Sequence, residues 1–207
     1  MAIVLYYGSG SPFAWRVQLA LEHKGLAYER KVLSFAAGDT RKPEFIALNP
    51  RHRVPVIVDG DFVLFESLAI TFYLAKKHSN GTLYPGTLEA EARAWQWSFW
   101  GMTEVERPLL AALLNRAVYP ERERDAAAAD AGEKQLSQPL GVLNGTLGRS
   151  PNLLGENFTV ADLNVTSILA WARPANIDMS PFPKVAEWLK NCAERPAARA
   201  VRQMQRE

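Results

Sequence analysis

Short apolar runs alternate with helix-like stretches over the first 78 residues of the chain. Four runs rich in β-favouring side chains predict strands, at residues 3–6, 28–33, 56–58 and 62–64. Apolar side chains at helical spacing predict helices between residues 13 and 25, over 43–48 and from Ser67 onward. The predicted order is therefore β-α-β-α-β-β-α. Because a helix joins the first two strands, we expect them to be parallel, whereas the last two form an antiparallel hairpin around Asp59-Gly60.

The pattern changes after His78. A turn-rich segment at residues 79–87 predicts a linker, and everything beyond it has helical character. The predicted helices cover residues 89–119 with a kink at Pro108, 121–147 with a disturbance at Pro139, 163–171, 183–194 and 196–205. Thr159 and Asp162 are spaced as a capping box ahead of the third helix, whose nearly apolar sequence predicts burial. We therefore predict a first domain over residues 1–78 and an all-helical domain over 88–207.

Composition narrows the function classes. Hydrophobic residues make up 48% of the 207 residues and charged residues 22%, as is typical of a soluble globular protein. A net charge of +2 gives no indication of a nucleic-acid or acidic-membrane partner, and we predict neither. Cys192 is the one cysteine, which excludes an internal disulfide and a cysteine-cluster metal site, and no metal is predicted. The chain lacks a signal-peptide pattern and an apolar run of membrane-spanning length, so we expect a cytoplasmic protein.

The segment from Val54 to Ser67 has a chemistry of its own. Pro55 cannot donate to a sheet, which places it at the first residue or the edge of the following strand. The backbone of Val54 is then available for a partner other than the sheet. The carboxylate of Glu66 and the hydroxyl of Ser67 come together at a predicted helix start. This combination predicts a surface for an extended, zwitterionic peptide.

These features, in this order, resemble the soluble glutathione transferases. The motifs that carry the resemblance are Ser11-Pro12-Phe13, Pro43-Glu44-Phe45, Asn49-Pro50, Val54-Pro55, Glu66-Ser67 and Thr159-Val160-Ala161-Asp162. The resemblance implies an α/β thioredoxin-like N-terminal domain followed by an all-α C-terminal helical domain. It indicates a serine-type member of bacterial appearance. Ser11 to Ala14 stand where thioredoxins have Cys-x-x-Cys, so dithiol exchange is excluded at this position.

The resemblance implies that glutathione binds to the first domain as a co-substrate, with no tightly bound cofactor. Glu66 would accept from the α-ammonium of the γ-glutamyl end, and Ser67, at a helix N-terminus, would bind the neighbouring carboxylate. Val54, ahead of a cis Pro55, would exchange backbone hydrogen bonds with the cysteinyl residue. The other candidate glutathione-binding residues, for the glycyl carboxylate and its loop, are Arg41, His52 and Arg53.

A hydroxyl at the start of the first helix is the candidate catalytic group. Ser11 is the preferred residue, because it directly precedes Pro12 and because serine-type members of the family place their catalytic serine comparably. The same residue is also a favourable helix N-cap, and the two roles are compatible. Ser9 is the second candidate, and Tyr6 or Tyr7 would also supply a hydroxyl.

The resemblance also implies a second pocket for a small hydrophobic electrophile. The candidate lining residues are Tyr7, Phe13, Trp100, Arg107 and Trp171. The expected activity is a glutathione transferase that stabilises the thiolate of glutathione and adds it to electrophiles. Two alternatives stay open: a glutathione-dependent peroxidase or isomerase, and a non-catalytic binding or regulatory protein with the same fold. A homodimer is expected from the resemblance.

Overall fold

The structure, a computed structural model, describes residues 2–79 and 81–204 of the chain. The described residues fall into two compact units. The first contains the residues up to Tyr84 together with those from Arg195 onward, and the second extends from Pro85 to Glu194.

A four-stranded sheet forms the centre of the first unit, in the order β2-β1-β3-β4. The strands are β1 Ile3–Gly8, β2 Tyr28–Leu33, β3 Val56–Asp59 and β4 Phe62–Phe65. β1 pairs in parallel with β2 and antiparallel with β3, and β3 and β4 form an antiparallel hairpin. The predicted strands and their relative directions are therefore confirmed.

Helices of the first unit pack against this sheet and against each other. They are α1 Pro12–Lys24, α2 Pro43–Ile46, α3 Ser67–Lys77 and α9 Pro196–Met204, with a short 3₁₀ turn at Asp39–Arg41. α1 ends at Gly25, whose φ of 61° is left-handed and suits a residue without a side chain. The sequence prediction placed residues 196 onward in the helical domain, whereas the structure packs α9 against α1. Gln205, the last residue of the predicted final helix, lies outside the described residues.

The second unit is helical and differs from the prediction in two places. Its helices are α4 Leu88–Trp100, α5 Glu106–Leu113, α6 Ala126–Leu147, α7 Val160–Leu169 and α8 Pro183–Ala193. The single helix predicted over residues 89–119 is wrong, because π-helical turns interrupt it at Gly101–Val105 and Leu114–Val118. Pro108 has no N–H for the carbonyl one turn earlier, and the first interruption lies directly before α5.

The helix predicted to begin at residue 121 begins at Ala126 instead. The Asp125 side chain accepts a hydrogen bond from the Ala128 N–H at 3.0 Å, which fixes the N-terminus of α6 there. α6 packs closely on α5 at Gly132. A Cβ atom added to Gly132 would lie 2.5 Å from the Pro108 carbonyl oxygen.

α7 is buried along its whole length, as its apolar sequence predicts. The predicted capping box is confirmed, with Thr159 as the N-cap and Asp162 as its partner. The fully buried Asp162 carboxylate accepts from the N–H groups of Thr159 at 2.9 Å and Leu153 at 2.8 Å. It therefore connects the start of α7 to the preceding loop.

Two kinds of site are absent from residues 2–79 and 81–204, the part of the chain that the structure describes. None of the helices there is both long enough and apolar enough to cross a membrane. The same residues contain no cluster of three or more histidine, cysteine or acidic side chains that would hold a metal ion.

Candidate functional site

The predicted binding residues of the first unit converge on one end of the sheet. Tyr6 of β1 lies opposite Val56 of β3, and Val56 lies opposite Phe65 of β4, so these three residues form one row across the sheet. β1 continues for two residues beyond this row and ends at Gly8. β3 begins at this row with Val56, and β4 ends at it with Phe65. The start of α1, the Val54-Pro55 segment and the start of α3 consequently lie at the same sheet end.

Ser11 is the N-cap of α1, and Pro12 is the first helical residue. Its Oγ accepts a hydrogen bond from the Ala14 N–H at 3.3 Å, and the side chain is only partly buried. Because the oxygen accepts from the helix, its own hydrogen remains available to donate outward. Ser9, the second candidate, lies in the exposed turn between β1 and α1.

Ser67, the first residue of α3, is buried and contacts an arginine that the sequence prediction did not include. Its Oγ accepts a hydrogen bond from Nη1 of Arg16 at 3.0 Å. Arg16 lies on α1, and only 1% of its surface is exposed. This buried hydrogen bond joins the start of α3 to the helix that carries Ser11.

Glu66 occupies the N-cap position of α3 with a φ of 69°, an uncommon conformation for a residue with a side chain. Its carboxylate is exposed and forms an ion pair with Arg51, at 3.0 Å between Oε1 and Nη1. Exposed pairs of this kind contribute about 0–1 kcal/mol, so the carboxylate can exchange partners readily. Backbone conformations of this kind occur often at ligand-binding sites.

The loop before β3 is held by the buried side chain of Asn49. Its Nδ2 donates to the Arg53 carbonyl at 2.7 Å, and its Oδ1 accepts from the Arg51 N–H at 3.0 Å. His52 has a left-handed φ of 57°, and its Nδ1 lies 3.2 Å from the Thr40 carbonyl oxygen. The loop accommodates a histidine here by turning its ring toward the 3₁₀ segment.

Two predicted carboxylate partners border this loop. The contact between His52 and Thr40 brings Arg41, the residue after Thr40, to the vicinity of the loop that carries Arg53. Both arginine side chains are exposed. This contact brings together the two segments that carry these arginines, and the role of both residues in binding an anionic group stays a prediction.

Val54 and Pro55 lead directly into β3. The peptide bond between them is cis, as the resemblance implied. Pro55 is buried and Val54 is partly buried. The prediction that the Val54 backbone pairs with a ligand is not tested by these contacts.

The five residues predicted to line a second pocket belong to both units. Within the first, Tyr7 is partly buried near the end of β1, and the guanidinium carbon of Arg16 lies 5.5 Å from the centre of the Phe13 ring. Within the second, Trp100 ends α4 and makes an edge-to-face contact with Trp97, Arg107 is exposed on α5, and Trp171 follows α7. A shared pocket formed by these residues stays a prediction.

Sequence reasoning missed Arg16, Asn49 and Arg51 as parts of this site. Arg16 gave a usable signal, because a charged residue among the apolar positions of a helix needs a buried partner. Asn49 offered a weaker one, as asparagine side chains often organise turns. Arg51 gave none, since an exposed arginine in a polar loop is ordinary.

Comparisons with known proteins agree with this arrangement. The family model of the glutathione S-transferase N-terminal domain matches residues 1–76, and that of the C-terminal domain matches residues 103–196. Glutathione S-transferase 4 of Zea mays is 34% identical over 206 residues, which cover 98% of this chain and 92% of the relative. Glutathione S-transferase 3 of Zea mays is 36% identical over 208 residues, which cover 95% and 92%.

A solved structure gives the same result for the fold. The theta class glutathione S-transferase of Xanthomonas axonopodis pv. citri, with glutathione bound, has a TM-score of 0.90 and 28% identity. The match covers 97% of this chain and 96% of that one. The predicted fold class, a thioredoxin-like domain followed by a helical domain, is confirmed. Two domain models that together match most of the chain, and relatives above 30% identity along nearly its whole length, show that this protein belongs to the glutathione S-transferase family.

Proposed function

We propose that this protein transfers glutathione to small electrophilic substrates and that the Ser11 hydroxyl stabilises the reacting thiolate. Glutathione is the co-substrate of the family. The observation that carries the catalytic proposal is the position of Ser11: its Oγ accepts from the Ala14 N–H at 3.3 Å, at the same sheet end as Val54 and Ser67. A hydroxyl at a helix N-terminus, with a hydrogen that the helix does not use, suits a sulfur anion.

The energy that this role requires is modest. A thiol with a pKa of about 8.5 is only about 3% ionised at pH 7, and lowering its pKa by about two units requires about 2.7 kcal/mol. A hydrogen bond to a charged group contributes about 1.5–3 kcal/mol. The N-terminus of a helix such as the 13-residue α1 adds about 0.3–1 kcal/mol. Ser11 and the helix that it caps are together sufficient.

The chemical step then needs no general base in the transition state. The bound thiol releases its proton to water before attack, and the thiolate sulfur forms the new bond to the electrophilic atom. With an aryl halide, the halide leaves with the electron pair of the broken bond. Ser11 keeps its own proton throughout and acts as a hydrogen-bond donor.

The two ends of glutathione are assigned by charge. Glu66 takes the α-ammonium group in exchange for Arg51, and Ser67 takes the α-carboxylate at the start of α3. Arg41 and Arg53 take the glycyl carboxylate, while the Val54 backbone pairs with the cysteinyl residue in the manner of an added strand. An extended tripeptide with charges at both ends satisfies all of these groups.

The test is the pKa of glutathione bound to the enzyme, followed by thiolate absorbance across a pH series. Ser11→Ala should raise that pKa to about 8, because the helix N-terminus keeps its smaller contribution, and this reduces the thiolate fraction at pH 7 by about tenfold. Turnover of a model aryl halide should fall by a similar factor, while circular dichroism stays unchanged. If Ser9→Ala raises the pKa and Ser11→Ala does not, the catalytic assignment is wrong.

Substrate choice separates the remaining alternatives. Turnover of an organic hydroperoxide, with little turnover of aryl halides, would indicate a peroxidase. Tight glutathione binding without turnover of either would indicate a binding protein. The expected homodimer is tested by light scattering of the purified chain.

A further inference from the structure

Arg16 is a charged residue inside the first unit. Only 1% of its surface is exposed. Arg16 lies on α1, where Ala14 and Val17 are also buried. Arginine is always charged in proteins, and burying a charge is unfavourable unless hydrogen bonds compensate for it. An apolar side chain would fill the same space more favourably. The position therefore calls for a reason beyond packing.

The Ser67 hydroxyl is one acceptor of this guanidinium. Arg16 Nη1 lies 3.0 Å from Ser67 Oγ, and the two residues are 51 positions apart in the chain. Only 7% of the Ser67 surface is exposed. A hydrogen bond between two buried groups so distant in sequence depends on how α1 packs against α3, and not on either helix alone.

The direction of the hydrogen bond determines what Ser67 can do. A serine hydroxyl has one hydrogen and two lone pairs. Because the guanidinium donates and has no acceptor of its own, Ser67 must use a lone pair for Arg16 and keeps its hydrogen for another partner. A hydroxyl in this state can still donate, and Ser67 lies at the sheet end where α3 begins.

We infer that Arg16 is a positioning residue for glutathione: it orients the Ser67 hydroxyl as a donor to the α-carboxylate of the γ-glutamyl group. The inference rests on the proposed function, in which Ser67 binds that carboxylate. The buried positive charge acts in the same direction, since it favours an anion close to Ser67. Arg16 does not touch the ligand in this arrangement.

The planar guanidinium also explains why arginine stands here rather than lysine. Its five N–H donors have fixed directions, so a hydrogen bond to Ser67 is compatible with others made by the same group. The ring of Phe13, with its centre 5.5 Å from the guanidinium carbon, further restricts the side chain. A lysine would keep the charge but lose the fixed direction.

The experiment compares three variants by calorimetric titration. Arg16→Met removes the charge and all donors with little change in length, Arg16→Lys retains the charge, and Ser67→Ala removes the oriented hydroxyl. Arg30→Met is the matched control, because Arg30 is an exposed arginine on β2 of the same unit. Each variant is titrated with glutathione and with γ-aminobutyryl-cysteinyl-glycine, which lacks only the α-carboxylate.

Arg16→Met and Ser67→Ala should each weaken glutathione binding about tenfold, the factor for one hydrogen bond to a charged group. The double variant should lose less than the sum of the two single losses, because both changes disrupt the same hydrogen bond to the carboxylate. Arg16→Lys should bind with intermediate affinity, and Arg30→Met like the unmodified protein. None of them should weaken the analogue without the carboxylate.

Equal losses for both ligands in Arg16→Met would overturn the inference, since a general structural defect does not distinguish them. Unchanged glutathione binding in Arg16→Met would also overturn it. If Arg16→Met does not fold, Arg16→Lys replaces it: it should weaken the binding of glutathione but not that of the analogue without the α-carboxylate. A Ser67→Ala variant that binds glutathione normally would instead refute the carboxylate assignment in the proposed function.

Discussion

Gly132 of α6 allows a sharp prediction, because a single methyl group added there meets the backbone of α5. The new Cβ would lie 2.5 Å from the Pro108 carbonyl oxygen and 3.3 Å from the Ala112 nitrogen. Ordinary contact begins at 3.4 Å, so the two helices must separate by about 0.9 Å at this point. Backbone atoms cannot move aside as a flexible side chain can.

Two opposing effects decide the outcome of Gly132→Ala. Alanine favours the helix by about 1 kcal/mol over glycine, whereas overpacking of a core costs about 1–3 kcal/mol. The balance of the two is a net loss of up to about 2 kcal/mol in the free energy of unfolding. Gly141 is the matched control on the same helix, since among the described residues no atom outside its chain neighbours and the adjacent backbone of α6 lies within 4 Å of an added Cβ. Gly141→Ala should therefore stabilise the protein by about 0.5–1 kcal/mol.

Urea unfolding followed by tryptophan fluorescence measures both effects. Five of the six tryptophans lie in the second unit, so the signal reports on the region that contains α5 and α6. Gly132→Ala should be less stable than Gly141→Ala by about 0.5–3 kcal/mol. If Gly132→Ala is as stable as Gly141→Ala, the close approach of these helices does not limit the packing.

Three further predictions concern acid stability, a buried carboxylate and ligand charge. Burial, with smaller effects of Arg195 and Lys24, lowers the pKa of His23 to about 4 from 6.5. Because the folded protein resists protonation of His23, the neutral side chain contributes its full stabilisation above pH 6.5. That contribution to the free energy of unfolding is lost as the pH falls toward 4, and about 2 kcal/mol of it is lost at pH 5. The stability deficit of His23→Gln at pH 8 should therefore shrink by that amount at pH 5, and an equal deficit at both pH values would contradict the reasoning. Asp162→Ala leaves two buried N–H groups without their acceptor and should lower the free energy of unfolding, measured with urea, by about 3–5 kcal/mol. The control is Asp125→Ala, which removes an exposed helix cap and should lower it by about 1 kcal/mol. Glu66→Gln should weaken glutathione about tenfold in calorimetric titrations but leave glutaryl-cysteinyl-glycine, which lacks the ammonium group, unaffected.

Local signals in the sequence were sufficient for much of the fold. The strands, the cap at Ser11 and the capping box at Thr159 each depend on neighbouring residues, and all three agree with the structure. The long helix predicted over residues 89–119 failed for a local reason as well. The sequence predicts a kink at Pro108, but the change in hydrogen bonding lies before α5, at Gly101–Val105.

The contacts that shape the candidate site were not predictable in the same way. Arg16 and Ser67 are far apart in sequence, and no periodicity connects them. The pairing of Arg51 with Glu66 depends on how the loop after Asn49 turns. Such contacts follow from the tertiary arrangement of elements, and one sequence taken by itself contains no record of them.

The packing of α9 on α1 has a consequence for how the protein is made. The first unit is discontinuous, because the chain leaves it after Tyr84, builds the whole second unit, and returns to it at Arg195. Ala197, Ala198 and Val201 of α9 are buried. During translation, the residues up to Tyr84 emerge before α9, so the core of the first unit is completed only after α9 has been made. If translation stops within the second unit, the first unit lacks α9, and the apolar surface that α9 covers stays exposed. Exposed apolar surface of this kind favours aggregation.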